Sequence, residues 1–193
     1  MDSFILGIVL EQYTASSEHI VIPNSVTVIG DNAFERSVLK SVVVPDGVRQ
    51  IGEKAFLCCF SLKEAAIGND VIKLGRRAFE CCDSLTHIQL SNVTVVEDEA
   101  FNYCKNLETI VMPNVKYIGD RAFAHCKALK SITIPDSIQH IGTQAFYRCI
   151  SLEKITLSKQ TLDMLRNNMS IKNFAKFIGV NANIIHSVNS SDM

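Results

Sequence analysis

Apolar residues recur along this chain in a fixed order. The stretch Leu107 to Phe123 holds that order in full, L-E-T-I-V-M-P-N-V-K-Y-I-G-D-R-A-F. Its first part, L-x-x-I-x-I, places apolar residues at offsets 3 and 5 from the Leu, the alternation of a strand. Proline ends the run at Pro23, Pro45, Pro113 and Pro135, because it has no N–H to give to a ladder. The next part, V-x-x-I-G, reads as a second extended piece that bends at Gly. The last part, x-x-A-F-x-x-C, reads as a short helical turn in which Ala permits close approach and Phe fills the interior.

The order repeats. Ala-Phe occurs at Ala33-Phe34, Ala55-Phe56, Ala78-Phe79, Ala100-Phe101, Ala122-Phe123 and Ala145-Phe146, in steps of 22, 23, 22, 22 and 23 residues. A Gly follows the aliphatic residue of each copy at Gly30, Gly52, Gly75, Gly119 and Gly142, with Glu97 as the exception. Cys stands three residues after Phe at Cys59, Cys82, Cys104, Cys126 and Cys149. Counting the truncated Ile20-Val21-Ile22-Pro23, the chain has seven runs and six complete I-G-x-x-A-F units. Each unit has an apolar face that only a neighbouring unit can cover, so the pattern predicts stacked coils.

A period of 22 to 23 headed by L-x-x-L-x-L lies in the leucine-rich repeat range. The form L-x-x-I-x-I-P-x-S-V-x-x-I-G-x-x-A-F-x-x-C resembles the BspA-like leucine-rich repeat family, and residues 129 to 149 match it nearly position for position. The fold this implies is a leucine-rich repeat solenoid with a parallel β-sheet on one face, short helical turns and a cap of C-terminal α-helices. The expected divisions are an N-terminal cap and link over 1–19, the solenoid over 20–157, a helical cap over 158–186 and a disordered tail over 187–193. In the cap, Leu162, Leu165 and Met169 share a helix face that Ser158 starts, and Ser170 heads a second helix from Ile171 to Ile178 that Gly179 stops.

Net charge is −1 and the isoelectric point is near 6.5, which argues against nucleic acid and anionic membrane as partners. The apolar run Phe4 to Leu10 is too short to span a bilayer. Asp2 precedes it where a signal peptide carries positive charge, so it reads as the solenoid's first covering element and the expected location is cytoplasmic. The sequons at Asn92, Asn168 and Asn189 are then coincidental.

Five of the seven cysteines form one column at coil spacing. Their side chains point in parallel, which suits buried thiols better than disulfides or a converging zinc site. Cys58 and Cys81 precede that column. Their equivalents are Arg36, Tyr103, His125 and Arg148, so they lie nearer solvent and are the reactive pair if any is. Ser41, Glu64 and His87 carry the residue types of a hydrolase triad, but in an order that does not place His between nucleophile and acid.

The outward positions of the runs, offsets 2 and 4, gather small and mostly uncharged side chains: Val43, Glu64, Ala66, His87, Gln89, Thr109, Val111, Ser131 and Thr133. They read as a docking face for a protein, against the plain reading of β-formers on a solvated sheet. The expected function is a non-enzymatic, monomeric protein-binding module without cofactor or metal. The resemblance implies surface adhesion, since several BspA-like proteins of host-associated bacteria and parasitic protists are adhesive surface proteins. An intracellular scaffold is the alternative, and a metal- or thiol-dependent protein using the Cys-Cys pairs is the second.

Overall fold

The computed structural model describes residues 8–13, 16–166 and 171–188. The elements run in order β1 (Ile8–Leu10), β2 (His19–Val21), β3 (Val26–Ile29), β4 (Ser41–Val44), β5 (Gln50–Ile51), β6 (Glu64–Ile67), β7 (Lys73–Leu74), β8 (His87–Gln89), β9 (Val95–Val96), β10 (Thr109–Val111), β11 (Tyr117–Ile118), β12 (Ser131–Thr133), β13 (His140–Ile141) and β14 (Lys154–Ser158). Helices α1 (Lys159–Arg166) and α2 (Ile171–Ile178), a 3₁₀ turn (Ala182–Ile184) and β15 (Ile185–Val188) complete the chain. The seven runs are β2, β4, β6, β8, β10, β12 and β14, each at the expected place.

The solenoid has two parallel sheets. The V-x-x-I segments build a continuous seven-stranded sheet in the order β1-β3-β5-β7-β9-β11-β13. The run strands, expected to make the sheet, fall into three groups: β2-β4-β6, β8-β10 and β12-β14-β15. The first division follows β6, where the inward position holds Ala65 in place of the Val42, Ile88, Ile132 and Ile155 of other coils. Ala65 is only half-buried, so β6 has less apolar surface drawing it against its neighbour. Nothing comparable explains the second division, between β10 and β12.

The turn segments are tighter than α-helix. Three N–H groups per coil bond three residues back, as in Ala33 to Gly30, Glu35 to Asn32 and Ser37 to Phe34. The intervening three bond to the next coil: Asn32 to Glu53 (2.9 Å), Phe34 to Ala55 (2.7 Å) and Arg36 to Leu57 (2.7 Å). This alternation needs two left-handed residues per turn, and all of them are non-glycine. Asn32, Lys54, Arg77, Glu99, Arg121 and Gln144 form one column, and Arg36, Cys58, Cys81, Tyr103, His125 and Arg148 the other, with φ between 52 and 62°. Such residues cost on the order of 1 kcal/mol each, and the surrounding ladder holds them there.

The six phenylalanines of the turns are buried to 1% exposure or less and stack with nearly parallel planes. Centroid spacing grows from 4.8 Å (Phe34–Phe56) to 5.6 Å (Phe123–Phe146), so the coils fan apart on this side toward the C-terminus. Tyr13 closes the stack at its start, 5.0 Å from Phe34. Glycine at the bend is required by approach, because a Cβ on Gly75 would lie 2.6 Å from the Gly52 carbonyl carbon and 2.7 Å from the Glu53 nitrogen. Glu97 is tolerated at the slightly longer 3.1 Å bond to Leu74, and its carboxylate accepts from the Arg76 N–H and pairs with Lys73.

The C-terminal cap imitates a further coil. The Gln144 and Phe146 N–H groups, which elsewhere reach the next turn, bond the carbonyls of Phe177 and Ile178 at the end of α2. Those carbonyls have no partner within the helix. Ser158 Oγ accepts from the Thr161 N–H at the start of α1, and Gly179 has φ +86° where α2 stops. Strand β15 pairs with β14, so Ser187 and Val188 continue the run face where a tail was expected. Met169, Ser170, residues 4–7 of the apolar run and residues 189–193 lie outside the described residues.

Truncating Phe101 to Ala should cost about 3–5 kcal/mol, since it interrupts the ring stack at its centre. Urea unfolding measures this, and a loss below 1 kcal/mol would show that the stack is not what joins the coils. Gly119→Ala should cost about 2–3 kcal/mol, because its Cβ meets the Asp98 nitrogen at 2.5 Å.

Candidate protein-binding face and thiol columns

All nine predicted face residues lie on the run strands with exposed side chains. Parallel register places Val43 beside Ala66, Thr109 beside His87 and Val111 beside Gln89. Val43 and Val111 are 41% and 53% exposed, large apolar side chains facing solvent on a strand. The other residues of the set fall on either side of the two divisions. Between β6 and β8, Glu64, Ala66, His87 and Gln89 border a depression of ≈ 450 Å3. Between β10 and β12, Thr109, Val111, Ser131 and Thr133 border a more apolar one of ≈ 340 Å3, with Pro113 and Pro135 at its end. The face is grooved rather than flat.

The triad types stay apart in role. His19 Nδ1 and Ser41 Oγ are 2.7 Å apart across β2 and β4, a pair the sequence reading missed. Glu64 lies beyond Ser41 in register, so serine sits between histidine and acid. A relay needs histidine in the middle. His87 contacts its own neighbour Thr86 at 3.1 Å.

The residues that follow the bend also take part in joining the coils. Asp31, Asp98 and Asp120 each accept the N–H of the following coil, from Glu53 (2.7 Å), Asp120 (2.8 Å) and Thr143 (2.6 Å). Sequence gave no sign of this, because the partners are 22 or 23 residues apart.

All seven cysteines are free. The five of the inner column are buried, and each thiol donates to the carbonyl of the Phe one coil back: Cys59 to Phe34 (3.0 Å), Cys82 to Phe56 (3.2 Å), Cys104 to Phe79 (3.0 Å), Cys126 to Phe101 (3.2 Å) and Cys149 to Phe123 (3.0 Å). They are therefore directional donors as well as small apolar fillers. Burial pushes the thiols of Cys82, Cys104 and Cys126 well above the ordinary range, and that of Cys149 up to about 12. Cys58 and Cys81 are half-buried. Among the described residues no three His, Cys, Asp or Glu side chains converge on one point.

A bulky maleimide at pH 7.5 should label no more than Cys58 and Cys81 in the native protein, with Cys104, Cys126 and Cys149 reacting only after unfolding. Access sets this order, because the column thiols are buried while Cys58 and Cys81 are only half-buried. Peptide mapping showing Cys104 labelled as fast as Cys58 would refute the burial of the column.

Comparison with known proteins agrees with this architecture. The family model described as BspA type Leucine rich repeat region matches over residues 12–115 and 94–187. Among solved structures, a leucine-rich repeat protein of T. pallidum is similar at 26% identity, over 78% of this chain and 76% of that one, with a TM-score of 0.72. A leucine rich cell surface protein of Faecalibacterium prausnitzii is 34% identical over 76% of this chain, with a TM-score of 0.63. The chain spans 49% of that protein's length. A leucine-rich repeat protein of Bacteroides capillosus is 31% identical over 54% of this chain and 85% of that one, with a TM-score of 0.50. No curated protein matches the chain in sequence. With repeats, strand register and family model in agreement over most of its length, the chain belongs to the BspA-type leucine-rich repeat family.

Proposed function

We propose that this chain is a non-catalytic module that binds a protein through the grooved face of its run strands. The observation that carries the reading is the exposure of Val43 and Val111 among small, mostly uncharged neighbours on a rigid parallel scaffold. Central positions from which water is excluded carry most interface energy. His87, Gln89, Thr109 and Val111 hold the middle of the face, between the two depressions. Charge suggests how a partner lies. Residues 1–103 hold 8 Lys and Arg against 14 Asp and Glu, and residues 104–193 hold 11 against 6. A partner with its basic end toward β2 matches this polarity.

Two observations bear on location. Seven unpaired thiols fit a reducing compartment and an intracellular scaffold. The F. prausnitzii relative, described as a cell surface protein, favours adhesion instead. Labelling of intact cells with a membrane-impermeant amine reagent separates the two, since only a surface protein is modified.

A photo-crosslinking residue at position 111 should yield a covalent adduct with a protein partner, and the same residue at Lys127, on the turn side, should not. Once the partner is identified, His87→Glu, Gln89→Glu or Val111→Glu should each weaken binding at least tenfold, about 1.4 kcal/mol. Adducts from position 127 with position 111 silent would move the interface off this face.

A further inference from the structure

Cys58 and Cys81 stand at the same position in consecutive coils, two residues after Phe56 and Phe79. Both have left-handed backbone, φ 57° and 59°. The Cys58 N–H bonds Glu80 and the Cys81 N–H bonds Asn102, at 2.8 and 2.9 Å, so the coils stack in register here. Parallel backbones so bonded lie roughly 4.8 Å apart. Side chains in this column run parallel as well. Two coils on, the rings of Tyr103 and His125 occupy the same position and stack at 4.1 Å with only 6° between their planes.

That geometry disfavours one product and favours another. A disulfide wants its Cβ atoms about 3.8 Å apart and turned toward each other, whereas parallel side chains keep theirs near the coil spacing. Taking the zinc–thiolate bond of about 2.3 Å as a guide, two sulfurs on opposite sides of one metal ion lie about 4.6 Å apart. Two stacked thiolates one coil apart meet that span with little movement. Soft thiolates select soft ions such as Cu(I), for which two ligands suffice. Tetrahedral zinc needs four converging ligands, and among the described residues no third His, Cys, Asp or Glu joins this pair.

We propose that Cys58 and Cys81 form a two-coordinate site for a soft monovalent cation, Cu(I) or Ag(I). Binding releases two protons to solvent, one per thiol, and leaves two thiolates around one cation with net charge −1. The local field sets the cost. Burial first, then Cys58 and Glu80, push the Cys81 thiol up to about 12, so its proton is held firmly near neutrality. Arg77 beside Glu80 at 3.4 Å and Lys105 beside Asp83 at 2.8 Å offset the nearby carboxylates. Cys59 and Cys82, one residue further in, are committed to the Phe34 and Phe56 carbonyls.

The test is anaerobic titration of the full chain with Cu(I) against the chromogenic chelator bathocuproine, repeated with Ag(I). The unaltered protein should withdraw one equivalent. Cys58→Ser and Cys81→Ser should each weaken uptake at least a hundredfold while circular dichroism and melting stay unchanged, and Cys104→Ser should retain it. Apparent affinity should rise about a hundredfold per pH unit between pH 6 and 8, the signature of two displaced protons. X-ray absorption should find two sulfur ligands. Uptake indifferent to Cys58→Ser, uptake lost with Cys104→Ser, or a Cys58–Cys81 disulfide in the protein as isolated would each overturn the assignment.

Discussion

The structure depends on backbone-to-backbone hydrogen bonding between coils 22 or 23 residues apart. Three segments of every coil take part: the run strand, the second strand and the alternate N–H groups of the turn. The turn contributes most to registration, because its donors at Asn32, Phe34 and Arg36 and their equivalents repeat through the fifth turn and are continued at Gln144 and Phe146 by the end of α2. Phe stacking follows from this. Rings 4.8 to 5.6 Å apart and nearly parallel are what fixed backbones with identical side-chain positions produce. These spacings lie within the range that aromatic pairs prefer, so the ladder fixes the ring positions and Phe fills them efficiently.

Close stacking constrains what sequence can do at each position. Where backbones touch, as at Gly52, Gly75 and Gly142, no Cβ fits without movement. Where a donor or acceptor would otherwise be left at the coil edge, Asp and Cys supply one. Where side chains leave the ladder, residue type is free, and the coils differ from one another. The left-handed columns show it well: Arg36, Cys58, Cys81, Tyr103, His125 and Arg148 share a backbone conformation and nothing else.

This explains how far the sequence could be read. Strand runs, the Phe and Gly columns, the helix Ile171–Ile178 and the Ser158 cap were legible, because apolar spacing and capping residues encode them locally. The left-handed turn residues were not, since Asn, Lys, Arg, Glu and Gln give no common signal and their partner lies one coil away. The divided run face was hidden for a related reason. Offsets 2 and 4 fix which side chains point outward, but strand separation depends on how deeply residues such as Ala65 seat in the core. Strand β15 was missed because Ile185–Val188 has no Leu-headed run, only an edge of β14 awaiting a partner. Of the candidate face, membership was legible and relief was not.

A coil has three sides, and the ladder isolates them. A substitution on the run face alters a column that the turn column never touches, since each column stacks on itself along the axis. Binding on the run strands and cation capture at Cys58 and Cys81 can therefore coexist without sharing a residue. The cost of the arrangement is rigidity. Coupling between the sides needs an element with two arrangements, and a coil held by bonds on all three segments offers none in its interior. The two divisions of the run sheet are the exception. Between β6 and β8, and between β10 and β12, the run segments lack the bonds that join their neighbours, so relative movement of coils is least resisted there. Depressions of the face lie at both places. Any adjustment to a partner would begin at Ala65 and at Ile110, with the second sheet acting as the continuous spine.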